Sequence, residues 1–216
     1  MPQDLINPAL TANTEFTHLN QDGSARMVDV GGKQNSQRQA IASALVQTTP
    51  AVIALLQSAG LKKGDALACA RIAGIMAAKK TSDLIPLCHP LALNKVEIEF
   101  SLDERLGQLR IVATCAVNGN TGVEMEALTA AAVSALTIHD MCKAVDPALV
   151  IGQIQLEEKT GGKSGLWQRA AFLAQRPAPT HTAPTHTVPT NSAQTNTTQI
   201  NTAQIKSGAS HNGATS

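Results

Sequence analysis

The sequence predicts an α+β domain of ferredoxin-like type, an antiparallel sheet with helices packed on one face. Three observations predict it. Residues 95–101 and 109–117 alternate apolar and polar side chains around a polar turn, the mark of a hairpin with one wet face. Ala-rich stretches with helical spacing stand on both sides of that hairpin. The resulting order, strand, helices, strand, strand, helix, strand, is the split βαβ arrangement.

Taken along the chain, residues 26–30 read as a short leading strand. Residues 37–57 place Ile41, Leu45, Val52, Ile53 and Leu56 near helical spacing, with Gly60 as the stop. Pro50 fits only a kink or a first turn, so this is one helix or two joined at Thr49-Pro50. Residues 65–80 form a second helix with an acidic start and a basic end, as the helix dipole favours. In the hairpin, Val96, Ile98 and Phe100 oppose Lys95, Glu97 and Glu99, and Leu109, Ile111, Ala113, Cys115 and Val117 follow the turn. Residues 123–145 are a long helix stopped by Asp146-Pro147, and residues 149–156 return as a strand interrupted at Gly152.

Composition narrows the function. Three Phe, one Trp and no Tyr in 216 residues leave a core of Ala, Val, Ile, Leu and Met, and no stacking platform for single-stranded nucleic acid. Seventeen basic against sixteen acidic residues, without a block of like charge, offer no surface for DNA or an anionic membrane. No apolar run approaches the roughly 18 residues of a spanning helix, and the start Met1-Pro2-Gln3-Asp4 lacks a signal peptide's features, so a cytoplasmic location is expected. Cys69, Cys88, Cys115 and Cys142 lie 19, 27 and 27 residues apart, too far for a zinc knuckle or a redox dithiol, so neither metal nor disulfide is predicted.

At residue 177 the composition changes. From there on the chain is nearly all Thr, Ala, Pro, Asn, Gln, Ser and Gly, with one charge, Lys206, and a five-residue repeat at 178–182 and 183–187. Such a segment buries too little apolar surface to offset its ordering entropy. The expected organisation is a loose arm over 1–14, one folded domain over 15–176, and a disordered tail over 177–216.

Four stretches carry candidate chemistry, and each has a plainer reading. Pro86-Leu87-Cys88-His89-Pro90 sets a Cys-His pair on a backbone fixed by two prolines; it suits substrate binding better than a nucleophile with its base, and otherwise holds an ordinary buried Cys. Glu124 and Glu126 flank Met125; they share a face only if extended or at a helix entry, and otherwise are acids favoured by a helix N-terminus. Asp140 and Lys143 are one helical turn apart, which usually means a surface ion pair. Their neighbours Ala135, Leu136, Ile138, Met141 and Ala144 make that helix apolar nearly all round, which argues for an interior pair or a pocket. Lys159-Thr160-Gly161-Gly162-Lys163-Ser164-Gly165 resembles a phosphate loop, but Glu157 occupies the position of the required first Gly, leaving an anion-cradling turn or a flexible one. Lys62-Lys63-Gly64-Asp65 is a similar basic loop before a helix.

Glu126 and Asp140 are fourteen residues apart on one predicted helix, about 21 Å at 1.5 Å per residue. They cannot line one small pocket in a single chain. If both are catalytic, the site is shared between subunits.

These motifs together resemble a known family. Met27-Val28-Asp29-Val30, Ala70-Arg71-Ile72-Ala73-Gly74-Ile75, Asp83-Leu84-Ile85-Pro86-Leu87-Cys88-His89-Pro90-Leu91, Thr121-Gly122-Val123-Glu124-Met125-Glu126-Ala127-Leu128-Thr129, Asp140-Met141-Cys142-Lys143-Ala144-Val145 and Gly161-Gly162-Lys163-Ser164-Gly165 are similar to the MoaC family, the cyclic pyranopterin monophosphate synthases of molybdenum cofactor biosynthesis. The likeness covers roughly residues 15–170. It implies a ferredoxin-like subunit in a homohexamer, a trimer of dimers with its sites at the dimer interface. It implies a lyase acting on a cyclised dihydro-GTP, with a cyclic phosphate formed, pyrophosphate released, and no metal or redox cofactor. Carried over by position, Asp140 is the implied acid/base, Lys143 its partner and Lys63 a catalytic lysine. Leu87, Cys88, His89, Met125 and Glu126 are implied substrate contacts, and Glu124, Lys159 and Lys163 further pocket positions, the lysines facing the triphosphate. The tail is not explained by the likeness. The alternatives are an idle guanine-nucleotide-binding or scaffold relative and, on poor spacing, a zinc site using Cys88, His89 and tail histidines.

Overall fold

The computed structural model describes residues 17–20, 22–58, 60, 65–163 and 165–174. The expected arm over 1–14 and tail over 177–216 lie outside these residues.

In chain order the elements are β1 (Ser36–Gln47), α1 (Pro50–Gln57), α2 (Ala66–Ala78), α3 (Thr81–Leu84), β2 (Lys95–Asp103), β3 (Gln108–Gly119), α4 (Glu124–Cys142), β4 (Val150–Thr160), β5 (Trp167–Gln168) and α5 (Arg169–Ala174). The strands form one sheet in the order β2-β3-β1-β4-β5, and every neighbouring pair is antiparallel. The first four strands with α2 and α4 make the ferredoxin-like arrangement. The hairpin lies where the alternation put it, with Val96 opposite Cys115 and Asp103 opposite Gln108.

The first half of the expected helix over 37–57 is instead the central strand β1. Ala40, Ala42, Ala44 and Val46 are buried on one face with a period of two, while Ile41 and Leu45 lie half-buried on the other. Alanine's helical preference is a weak prior, and full-length pairing with β3 on one side and β4 on the other overrides it. Helix begins only at Pro50, where the missing N–H costs nothing and the Thr49 side chain accepts a hydrogen bond from the Val52 amide. The expected strand over 26–30 is also absent, since the central position is taken by β1; Ala25 makes only an isolated bridge to Leu19.

The predicted interruption at Gly152 is a register shift against β1, with Gln153 at a φ of 48°. Beyond it β4 continues to Thr160, further than the sequence suggested.

The core compensates for its lack of aromatics with close approach. Buried alanines of β1, α2 and α4 face one another, with Leu109, Ile111, Ile53 and Ile138 filling the larger spaces. At the α2–α4 crossing a Cβ on Gly74 would collide with the Ser134 hydroxyl and stand 2.9 Å from the Ala130 carbonyl oxygen. Ser134 donates to the Ala70 carbonyl at 3.0 Å, so the crossing is hydrogen-bonded and tight. This fixes the direction of α4, whose first turn carries the candidate site.

Candidate active site

α4 starts where the chain leaves β3 through Asn120, Thr121 and Gly122. No side chain caps it at Val123, and its first turn carries Glu124 and Glu126 instead, acids that suit the positive end of the helix dipole. The Glu124 carboxylate folds back over Gly122, where a Cβ would collide with it, so a side chain at position 122 would displace the acid. Glu124 Oε1 receives the Lys159 ammonium from β4 at 3.0 Å, which anchors the start of α4 to the sheet.

The first turn of α4 faces a half-open cavity of about 300 Å³. Thr121, Gly122, Glu124, Met125 and Glu126 form one wall. A second wall is the Pro-bounded loop, with Leu87, Cys88, His89 and Leu91. That loop is held by a turn after α3 in which the Cys88 amide donates to the Ile85 carbonyl at 3.0 Å. Thr17, His18, Val28, Val30 and Lys33 close the third side. Both carboxylates reach the cavity because it lies at the end of the helix, where the whole first turn rings it.

Glu126 is 4% exposed, and burial, with the Glu124 charge behind it, raises its pKa above the usual carboxylate range, only partly opposed by a backbone hydrogen bond. Two thiols feel the same acid. Burial and then the Glu126 charge push Cys88 up, and push Cys115 of β3, fully buried, to about 12. Both shifts disfavour the thiolate, which makes Cys88 a poor nucleophile. The cavity thus holds a desolvated acid whose burial favours the protonated form, next to half-buried Leu87 and His89 and the thioether of Met125.

Six of the residues singled out from the sequence, Leu87, Cys88, His89, Glu124, Met125 and Glu126, converge on this cavity. Others lie elsewhere. Asp140 and Lys143 pair at 2.7 Å near the far end of α4, with side chains 60% and 54% exposed, the surface arrangement and not the interior one. Some 21 Å of helix separates them from Glu126. Lys163 is exposed on the turn after β4, and Lys63 lies outside the described residues. Gly161 and Gly162 take φ values of 92° and 68°, and a Cβ on Gly161 would collide with the Gln37 carbonyl, so this turn is a tight seat against β1. The sequence drew notice to Val28 and Val30 only as part of a family-like motif, and gave no site role to the third wall. Its signal was Asp29 followed by Gly31-Gly32-Lys33, a capped turn obscured by the expectation of a strand over 26–30.

Among the described residues no group of three or more His, Cys, Asp or Glu is placed to hold a metal ion, and no helix is long and apolar enough to cross a membrane. The four cysteines form no disulfide.

A ferredoxin-like α+β domain whose helix N-terminus presents a desolvated acid to a cavity of mixed polar and apolar lining has the form of an enzyme acting on a small molecule. Residues 27–162 match the MoaC family, and the chain belongs to it. It is 55% identical over 154 residues to the cyclic pyranopterin monophosphate synthase of Parvibaculum lavamentivorans, a match covering 71% of this chain and 96% of that protein. Proteins of the same name from Brucella ovis and Brucella abortus are 56% identical over 153 residues, covering 71% of this chain and 93% of theirs.

Proposed function

We propose that this protein is a cyclic pyranopterin monophosphate synthase, a lyase of molybdenum cofactor biosynthesis that acts in the cytoplasm on a cyclised dihydro-GTP. One observation carries the reading: residues 87–89 and 124–126, distant in sequence, line a single cavity that includes Glu126, a buried acid whose pKa burial raises. The chemistry asks for little else. The purine-derived and ribose parts rearrange to a pyranopterin through proton transfers. A substrate hydroxyl then bonds to the α-phosphorus as the bond to the bridging oxygen breaks, giving the cyclic phosphate and pyrophosphate. The hydroxyl proton passes to a base. Glu126 exchanges protons with the ring system, Leu87, Met125 and His89 grip it in place of an aromatic platform, and Lys159 holds Glu124 in position.

In this reading a second copy completes the site. The Asp140–Lys143 end of the partner's α4 sits against the cavity, supplying the acid/base pair that one chain holds some 21 Å away. The assembly is a homohexamer, a trimer of dimers. Exposed Ile72 and Met76 on α2, Leu136 on α4 and Val150 and Ile154 on β4 are apolar side chains that such an assembly would cover. Lys63 is assigned as a catalytic lysine and Lys163 to the phosphates, and no metal or redox cofactor takes part.

The test is direct. Purified protein incubated with the cyclised dihydro-GTP should release pyrophosphate and yield a pterin that oxidises to a fluorescent product. Guanine-nucleotide binding without pyrophosphate release would favour the idle relative instead.

A further inference from the structure

The cavity's third wall has no regular element behind it. The start of α4 is anchored to the sheet by Lys159, and the Pro-bounded loop is held by the turn after α3, but residues 27–33 form neither helix nor strand. Even so, Val28 and Val30 are half-buried and line the cavity while Met27 and Asp29 are exposed, so the segment keeps one defined apolar face. Two hydrogen bonds close within it. The Gly31 amide donates to Asp29 Oδ1 at 2.8 Å and the Lys33 amide to the Val30 carbonyl at 3.1 Å. These bonds shape the turn without placing it.

Asn120 supplies the placement. Its side chain donates to the same Val30 carbonyl at 2.9 Å, and among the described residues this is the hydrogen bond that joins 27–33 to the rest of the fold. The donor is itself well seated. Asn120 is half-buried and follows Gly119, which pairs with Ser36 at the end of β3 and whose carbonyl accepts from Arg38 Nε at 3.0 Å. It precedes Thr121 and Gly122 of the first wall but does not line the cavity. Any influence it has on the site therefore passes through Val30.

We propose that Asn120 is a positioning residue, whose carboxamide latches the apolar wall of Val28 and Val30 to the start of α4 and so sets the width of the cavity around the substrate's ring system. The kinetic consequence rests on the function proposed above, whereas the latch itself does not. Glu126 and the Cys-His loop stand on the other two walls, so losing the latch weakens the hold on substrate without removing a reacting group. The Val30 carbonyl keeps the Lys33 amide as a donor, so no orphaned acceptor is left to unsettle the fold.

The experiment compares the full-length wild type with Asn120→Ala, which removes the donor, and Asn120→Asp, which keeps the shape but sets an acceptor against the carbonyl. Amide hydrogen exchange read by mass spectrometry reports the latch in the free protein, and steady-state turnover of the cyclised dihydro-GTP reports its use. In both variants exchange over 28–33 should quicken about five-fold or more, while exchange in β1 and β3 stays as in wild type. KM should rise about five-fold or more with kcat within about two-fold. Unchanged exchange over 28–33 in Asn120→Ala overturns the latch. Faster exchange with an unchanged KM, or with a kcat that falls as far as KM rises, overturns the positioning role and leaves the function standing. Exchange that quickens in β1 and β3 as well marks a general structural residue and overturns the proposal too. Absence of turnover by wild type overturns the function proposed above and the positioning role with it, while the exchange data still decide the latch.

Discussion

Glu126 pays for its place in burial, and its stability effect has a defined sign. A carboxyl whose folded pKa stands above its unfolded value, about 4.3, stabilises the fold fully below that value and loses the contribution as pH rises through the folded one. Glu126→Gln removes the ionisation penalty, so thermal melts should show the variant at or above wild type near pH 8, with the gap closing toward about pH 4. The same variant should lose about a hundred-fold or more in turnover, because the amide cannot exchange the proton. Glu157 on β4 has the opposite sign. Burial tends to raise it, but hydrogen bonds from Ser43 and Gln155 and the Arg110 and Arg169 charges together hold it below the ordinary range. Its contribution is present above the unfolded value and lost as pH falls through the folded one. Ser43→Ala should cost about 1–3 kcal/mol at neutral pH and move acid unfolding to higher pH, read by circular dichroism along a pH titration.

At the scale of elements, the α2–α4 crossing is the most demanding contact. Gly74→Ala should destabilise by about 2 kcal/mol or more in urea unfolding. Adding Ser134→Ala should recover only part of that, since the Ala130 carbonyl oxygen still stands 2.9 Å from the new Cβ. The hairpin, α2 and α4 were legible in the sequence because alternation, an acidic cap at Asp65 and an Ala-rich apolar run each speak for one periodicity. β1 was not. Ile41 and Leu45 imitate helical spacing, and the alternation that decides the matter is carried by Ala40, Ala42 and Ala44, residues equally at home in a helix. Only pairing with neighbours on both sides settles it, and that information lies outside the segment. The same error hid the third wall of the cavity, because a strand placed at 26–30 left no reason to expect a capped turn carrying Lys33. The site's other two walls were readable, since the Pro-bounded Cys-His loop and the acids at a helix entry declare their chemistry locally.

At the scale of the whole molecule, α4 is a rod with the buried acid Glu126 at one end and the Asp140–Lys143 pair at the other. A catalytic role for both ends requires two copies of the chain and a site shared between them. Glu126→Gln and Asp140→Ala should each abolish turnover while leaving a folded oligomer. Mixed, unfolded together and refolded, the two inactive variants should regain activity. In a random assortment half the dimers are mixed, and one of the two sites in each is intact, so about a quarter of wild-type activity should return. A mixture no more active than the separate variants would contradict the shared site.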